Sequence, residues 1–207
     1  MDMLKIFLVR HGQNVDNANG ILNGHRDEPL TEIGISQAHE TASKVKDTGI
    51  VFDKVYASPL QRAYKTAEII TDMIGLDKPE ILPELIERDF GVMTGKPLLK
   101  IVELCAPDIL QTDTITYFLK PEGAETFPQL LARATELLAD VQKRHTDGNI
   151  LLVTHGDFGK MIYAAYYGLD WMEVLMLFHF GNSDLLELSP DSLHTDTHVH
   201  KIAQHNL

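Results

Sequence analysis

Arg10 and His11 stand together at the end of a short apolar run, Leu4-Lys5-Ile6-Phe7-Leu8-Val9, and Gly12 follows at once. The arrangement recurs twice: Lys54 to Ser58 runs into Pro59 and Arg62, and Asn149 to Thr154 runs into His155-Gly156. Two guanidinium groups and two imidazoles brought together suit a small anion, and a phosphoryl group in particular. Its charge is spread over three oxygens, and it needs a nucleophile on one side and a proton for the leaving oxygen on the other. Arg10 and Arg62 offer planar donor forks that match phosphate oxygens, and Asn17 adds an uncharged donor. Backbone N–H groups around Gly12 and Gly156, and the first turn of the helix after Pro59, are further candidate donors. One imidazole can attack phosphorus in its neutral form, which neighbouring arginines favour, while the other, if protonated, donates to a phosphoryl oxygen. Glu87, in a loop closing its own extended stretch, is the candidate acid for the leaving alkoxide and then the base for water.

These residues need strand tips to hold them. An apolar run of six residues is too short for a helix and fits a strand buried on both faces, and ligands of open α/β sheets bind at the carboxyl ends of such strands. Helical patterns separate the runs. Thr31 can cap a helix reaching toward Gly49 with Ile35, Ala38, Ala42 and Val45 on one face, and Ser58-Pro59 opens another, with Ala63, Ala67, Ile70 and Ile74, that Gly75 stops. Thr126-Phe127-Pro128-Gln129 has the form of a capping box ahead of Leu130, Leu131, Ala134, Leu137, Leu138 and Val141. Phe158 to Tyr167 reads as a helix, Trp171 to Phe178 as buried, and Asp184–Leu188 with Thr197–Ile202 as a hairpin. Residues 12–30 read as an irregular loop, and Pro79 to Glu87 as a short extended stretch. The expected fold is α/β, a three-layer α/β/α arrangement around a mostly parallel sheet. One domain is expected over residues 1–207, with a small lid over about 92–125.

The chain has 207 residues, 44% of them hydrophobic and 23% charged, which is ordinary globular composition. Its formal net charge of -12 argues against nucleic acid or an anionic membrane surface as partner, so any anionic substrate must be held by a local cationic cluster. Cys105 is the only cysteine, and no apolar run reaches the length of a membrane span or signal core, which together suggest a cytoplasmic location.

Five ordered segments resemble the histidine phosphatase superfamily, also called the phosphoglycerate mutase-like family. They are Arg10-His11-Gly12-Gln13 with Asn17, Pro29 to Ala38, Ser58-Pro59-Leu60 through Arg62-Ala63 to Thr66-Ala67, Glu87 with Phe90-Gly91, and Thr154-His155-Gly156. The resemblance implies that His11 is the phosphorylated nucleophile, Glu87 the proton donor, and Arg10, Asn17, Arg62 and His155 the phosphate pocket. It also aligns Asn23 and Gly24 with a substrate-contacting turn. The implied activity is metal-free, cofactor-free hydrolysis of a small phosphorylated metabolite through a phosphohistidine. The chain departs from the family pattern at Asn14, where threonine is usual, and at Val92-Met93-Thr94-Gly95.

Blander assignments compete with these. Arg62 could be a solvated residue in a helix's first turn, Glu87 a surface carboxylate paired with Arg88, and His155 a core histidine. His198 and His200 could form a metal pair, although an exposed hairpin face accounts for them too. Met172, Met176 and the Trp171 to Phe180 stretch read as core or as the face of a homodimer. A phosphoglycerate mutase must hold a carboxylate and exclude water, yet residues 92–125 offer only Lys96, Lys100 and Lys120 and no arginine, with Phe90 where mutases carry tyrosine. Hydrolysis is therefore preferred, with a mutase or a non-catalytic phospho-ligand-binding protein as alternatives.

Overall fold

The computed structural model describes residues 4–189 and 199–200. In chain order its strands are β1 (Lys5–Arg10), β2 (Lys54–Ala57), β3 (Glu80–Ile81), β4 (Ile109–Gln111), β5 (Thr116–Phe118), β6 (Asn149–Thr154), β7 (Leu185–Leu188) and β8 (Val199–His200). The helices are α1 (Val15–Ala18), α2 (Glu32–Asp47), α3 (Gln61–Ile74), α4 (Ile101–Cys105), α5 (Phe127–Arg144), α6 (Gly156–Tyr167) and α7 (Trp171–Leu177). Six strands make one sheet in the order β3-β2-β6-β1-β7-β8, parallel from β3 to β1 and antiparallel from there to β8.

Alternation along the strands divides the core into two layers. Ile6, Leu8, Tyr56, Ile150, Leu152 and Leu186 pack with the buried faces of α5, α6 and α7. Phe7, Val9, Val55, Ala57, Leu151 and Val153 pack with Ala38, Ala42 and Val45 of α2 and Ala63, Ala67 and Ile70 of α3. The sheet is thus covered on both faces, which is why its central strands are apolar at nearly every position.

Local chemistry sets the helix ends. Thr31 Oγ1 accepts the Gly34 N–H at 3.1 Å to start α2, and Thr126 and Gln129 form the reciprocal capping box that starts α5. α3 starts at Gln61 with Leu60 as its cap, two residues later than Pro59 suggests, and ends on Gly75 in the left-handed conformation at φ 75°.

Four segments differ from the sequence reading. Within 12–30 the chain forms the one-turn helix α1, because Asn14 and Asn17 cap each other. Only Glu80–Ile81 of the 79–87 stretch is strand, and a 3₁₀ turn at Pro83–Leu85 then buries Leu85. Residues 92–125 contain an antiparallel pair, β4 and β5, and share a small core of Leu22, Phe90, Met93, Ile101 and Phe118. On α7, Val174 and Leu175 are buried, but Met172, Met176 and Leu177 are exposed because a seven-residue helix on the surface can bury only one face. His194, His198 and His205 lie outside the described residues.

Candidate active site

Strand register brings the two imidazoles together. β1 and β6 are adjacent and parallel with Arg10 opposite Thr154, so His11 and His155 both follow directly on paired residues. The His11 N–H donates to Thr154 O at 3.0 Å, and the two ring centroids are 5.1 Å apart. Gly12 is required here: a Cβ on it would run into the Gly34 backbone, and one on Gly34 would run into Gln13 O. The loop after β1 therefore lies directly on the first turn of α2.

His11 is 2% exposed, and its Nδ1 is 2.7 Å from Gly12 O. A carbonyl only accepts, so Nδ1 carries the proton and Nε2 keeps its lone pair. Arg62 Nε donates to that Nε2 at 3.2 Å. Burial, then the charges of Arg62 and Arg10, hold the imidazole pKa well below its ordinary value, so the ring is neutral near pH 7. Arg62 itself is 1% exposed, and one N–H each of Nη1 and Nη2 goes to Arg26 O at 2.6 Å and Gly24 O at 3.0 Å, so two of its five N–H groups stay available to a ligand. Burial brings its pKa down to about 10, and the guanidinium stays charged.

His155 is fully buried, with Nε2 2.7 Å from Ser58 Oγ and no hydrogen-bond partner for Nδ1 among the described residues. Burial, followed by Arg62 and His11, holds its pKa well below the usual imidazole range. Arg10 donates Nη1 to Phe180 O at 2.7 Å, and its Nε is buried without a partner among the described residues. Unpaired buried polar atoms are costly, and an arginine Nε and an imidazole nitrogen unpaired at one site suit a polar ligand.

Glu87 is 6% exposed and belongs to the first turn of α6 as much as to its own loop. Oε1 accepts from Arg88 N at 2.9 Å and Phe158 N at 3.0 Å, and Oε2 lies 3.4 Å from Asp157 N. Burial, with the nearby Asp157 carboxylate, raises its pKa against the backbone N–H groups and Arg62 that oppose the shift. The carboxyl is therefore biased toward the protonated, proton-donating form. Beyond that backbone bond, the Arg88 guanidinium does not pair with Glu87 among the described residues. That side chain is 1% exposed, donates Nε to Asp157 at 2.9 Å and Nη1 to Phe118 O at 3.0 Å, and lies 4.3 Å from the ring centroids of Phe118 and Phe127.

Asn17 Oδ1 accepts from Asn14 N at 3.4 Å and Asn182 Nδ2 at 3.2 Å. Its NH2 group is thus left to donate elsewhere. Asn23 is bonded to Asn14 through Oδ1 at 2.9 Å, and Gly24 meets the site through its carbonyl on Arg62. At φ +51° Gly24 turns the chain tightly beneath Phe90, which a side chain would crowd.

Several backbone donors expected to face an anion are engaged within the protein. Gly12 N–H donates to Thr66 Oγ1 at 3.1 Å, Gln61 N–H at the start of α3 to Asp27 Oδ1 at 2.7 Å, and the N–H groups of Asp157 and Phe158 to Glu87. Gly156 instead packs against the Arg10 guanidinium, where a Cβ would lie 3.4 Å from Cζ. Side chains, rather than helix ends, are left to hold the ligand. Sequence reading missed Ser58, Thr66, Asp157 and Asn182 as supports of the site, and only Ser58 and Thr66 had a signal, since both stand in the segment around Arg62. Among the described residues no group of three or more His, Cys, Asp or Glu side chains is arranged to hold a metal ion, and no helix is long and apolar enough to cross a membrane.

Comparison with known proteins agrees with this architecture. The family model described as histidine phosphatase superfamily (branch 1) matches residues 6–201. A candidate phosphoserine phosphatase 2 of Hydrogenobacter thermophilus is 31% identical over 188 residues, covering 90% of this chain and 89% of its own. A 2,3-bisphosphoglycerate-dependent phosphoglycerate mutase of Bartonella henselae is 29% identical over 174 residues, covering 82% and 84%. Among solved structures, a mycobacterial glucosyl-3-phosphoglycerate phosphatase complexed with VO3 superposes with a TM-score of 0.76 at 26% identity, covering 89% of this chain and 92% of that one.

Proposed function

The chain belongs to the histidine phosphatase superfamily (branch 1), and from that we propose that it is a phosphomonoesterase working through a phosphohistidine on a small phosphorylated metabolite. One observation carries the reading: the Gly12 carbonyl fixes His11 as the neutral tautomer whose Nε2 lone pair faces the Arg62 guanidinium. With an ester bound, Arg62 and Arg10 hold equatorial oxygens, assisted by the Asn17 amide and His155. His11 Nε2 attacks phosphorus as the P–O(alkyl) bond breaks, and the departing oxygen takes the proton of Glu87. The Glu87 carboxylate then takes a proton from water. That oxygen attacks the phosphohistidine, releasing inorganic phosphate and restoring His11.

The surroundings favour water over a second phosphoglycerate as acceptor. Lys100 and Lys120, on the segment where a mutase would need cations, pair at the surface with Glu103 at 2.6 Å and Asp108 at 3.2 Å, and Lys96 is exposed. Release of phosphate from a panel of phosphomonoesters, including 3-phosphoglycerate and bisphosphoglycerate, by wild type and His11→Ala without added metal tests this. The expectation is phosphate release that depends on His11, with label trapped on that residue. Interconversion of 3- and 2-phosphoglycerate as the main activity would favour a mutase, and binding without labelling would favour a non-catalytic phospho-ligand-binding protein.

A further inference from the structure

Side chains hold the backbone of the loop that carries Glu87. The carbonyls of Glu84, Leu85, Ile86 and Glu87 all accept from side-chain donors. Thr154 Oγ1 donates to Leu85 O at 2.8 Å. Arg133, on α5, donates Nη1 to Glu84 O at 2.6 Å and Ile86 O at 2.9 Å, and Nη2 to Glu87 O at 3.3 Å. Its Nε and Nη2 also pair with Glu125 at 3.0 and 2.9 Å, so all five of its N–H groups are engaged within the protein. Glu87 O has a second and shorter partner, His25 Nε2 at 2.8 Å. A carbonyl only accepts, so that nitrogen carries the proton.

His25 joins two halves of the site. The residues on either side of it, Gly24 and Arg26, give their carbonyls to Arg62 at 3.0 and 2.6 Å. One three-residue turn therefore fixes both the guanidinium beside His11 and the backbone of the candidate acid. The bond to Glu87 O reaches the carboxyl through the peptide plane. A trans peptide is rigid, with its C=O and N–H pointing oppositely, so fixing Glu87 O also aims the Arg88 N–H. That N–H donates to Glu87 Oε1 at 2.9 Å, beside the Phe158 N–H at 3.0 Å, whereas the N–H that reaches Oε2, from Asp157, is at 3.4 Å. Two short donors keep Oε1 an acceptor and leave Oε2 to carry the transferable proton.

We propose that His25 is a positioning residue for the acid: by holding the Glu87–Arg88 peptide it keeps the proton on Oε2 and the carboxyl in register with the phosphoryl group on Arg62. This rests on the phosphomonoesterase reading. The His25 side chain is exposed, so its removal leaves Arg133 and Thr154 in place and frees the orientation of one peptide.

Two aryl esters of nearly one shape test it. Phenyl phosphate releases a basic phenolate that needs the acid's proton, and p-nitrophenyl phosphate one that does not. kcat/KM on each reports phosphoryl transfer to His11. The expectation is that His25→Ala lowers it about tenfold on phenyl phosphate and by less than about twofold on p-nitrophenyl phosphate. His25→Gln, whose Nε2 stands the same number of bonds from Cα, should restore most of the loss. In the Glu87→Gln protein, adding His25→Ala should cost nothing further on phenyl phosphate, because its route to the reaction is already gone. Equal losses on the two esters, as a contact with the phosphoryl group or a general loosening of the site would give, overturn the proposal. No loss on either ester, or an undiminished loss in the Glu87→Gln protein, overturns it too. Wild-type protein that hydrolyses neither ester would defeat the hydrolase reading itself, and this role for His25 with it.

Discussion

Glu87 Oε1 accepts the Phe158 N–H at 3.0 Å, so the candidate acid is held by the first turn of the helix that follows the second histidine. Two backbone N–H bonds alone would favour the carboxylate. Burial and the Asp157 charge outweigh them, and Glu87 holds its proton above the ordinary carboxylate range.

This sets a pH and leaving-group signature. Hydrolysis of alkyl phosphates falls as pH rises through the raised Glu87 value, because the leaving alkoxide loses its proton source. The acid limb lies below pH 6.5, since His11 is held neutral there. Glu87→Gln should lower kcat/KM on alkyl phosphates by about 10²- to 10⁴-fold, and much less for the first step on p-nitrophenyl phosphate, whose phenolate leaves unaided. Burst kinetics on both esters measure this, and equal losses on the two would remove Glu87 from the acid role.

Stability should fall on mild acidification. The folded pKa values of His11 and His155 lie well below 6.5, so below that pH unfolding takes up protons that the fold excludes. Each imidazole lowers the unfolding free energy by up to about 1.4 kcal/mol per pH unit in that window. Glu87 works in the opposite sense: its raised value lets the fold keep a proton that the unfolded chain releases above 4.5, adding stability as pH falls through that window. Urea unfolding from pH 7 to pH 5 should show a net decline that is shallower in His11→Ala, and identical slopes would contradict buried neutral imidazoles.

Arg88→Met should destabilise by about 3 kcal/mol, because it leaves the Asp157 carboxylate, 16% exposed, without its partner. It also removes the guanidinium that lies 4.3 Å from the ring centroids of Phe118 and Phe127. Denaturant midpoints at constant m-value measure the loss, and a change under 1 kcal/mol would show the pair to be dispensable.

Gly34→Ala should cost activity as well as stability. The new methyl would meet the Gln13 carbonyl, so the loop carrying His11 must move away from α2. Hydrolysis rate and thermal midpoint should both drop, whereas Gly20→Ala, with nothing within 4 Å of the added Cβ and a positive φ, should affect the midpoint alone.

Strand alternation, helix caps and the order of Arg10, His11, Arg62, Glu87 and His155 could be read along the chain because each depends on neighbours a few residues away. Thr31, Thr126 and Gly75 end helices by contacts within one turn. The β4–β5 pair was hidden because three-residue strands carry too little alternation to register. Arg88 looked like a surface partner of Glu87, and only folding brought Asp157, 69 residues away, to its Nε.

The sequence by itself determined which groups meet: apolar runs must be buried, and their ends carry the charged and nucleophilic residues to one sheet edge. Tertiary structure alone decided their states. The His11 tautomer, the lowered proton affinity of both imidazoles and the raised proton affinity of Glu87 depend on burial and on partners distant in the chain. Proton affinity and hydrogen-bond direction follow from the three-dimensional surroundings of a group, and no run of adjacent residues specifies those.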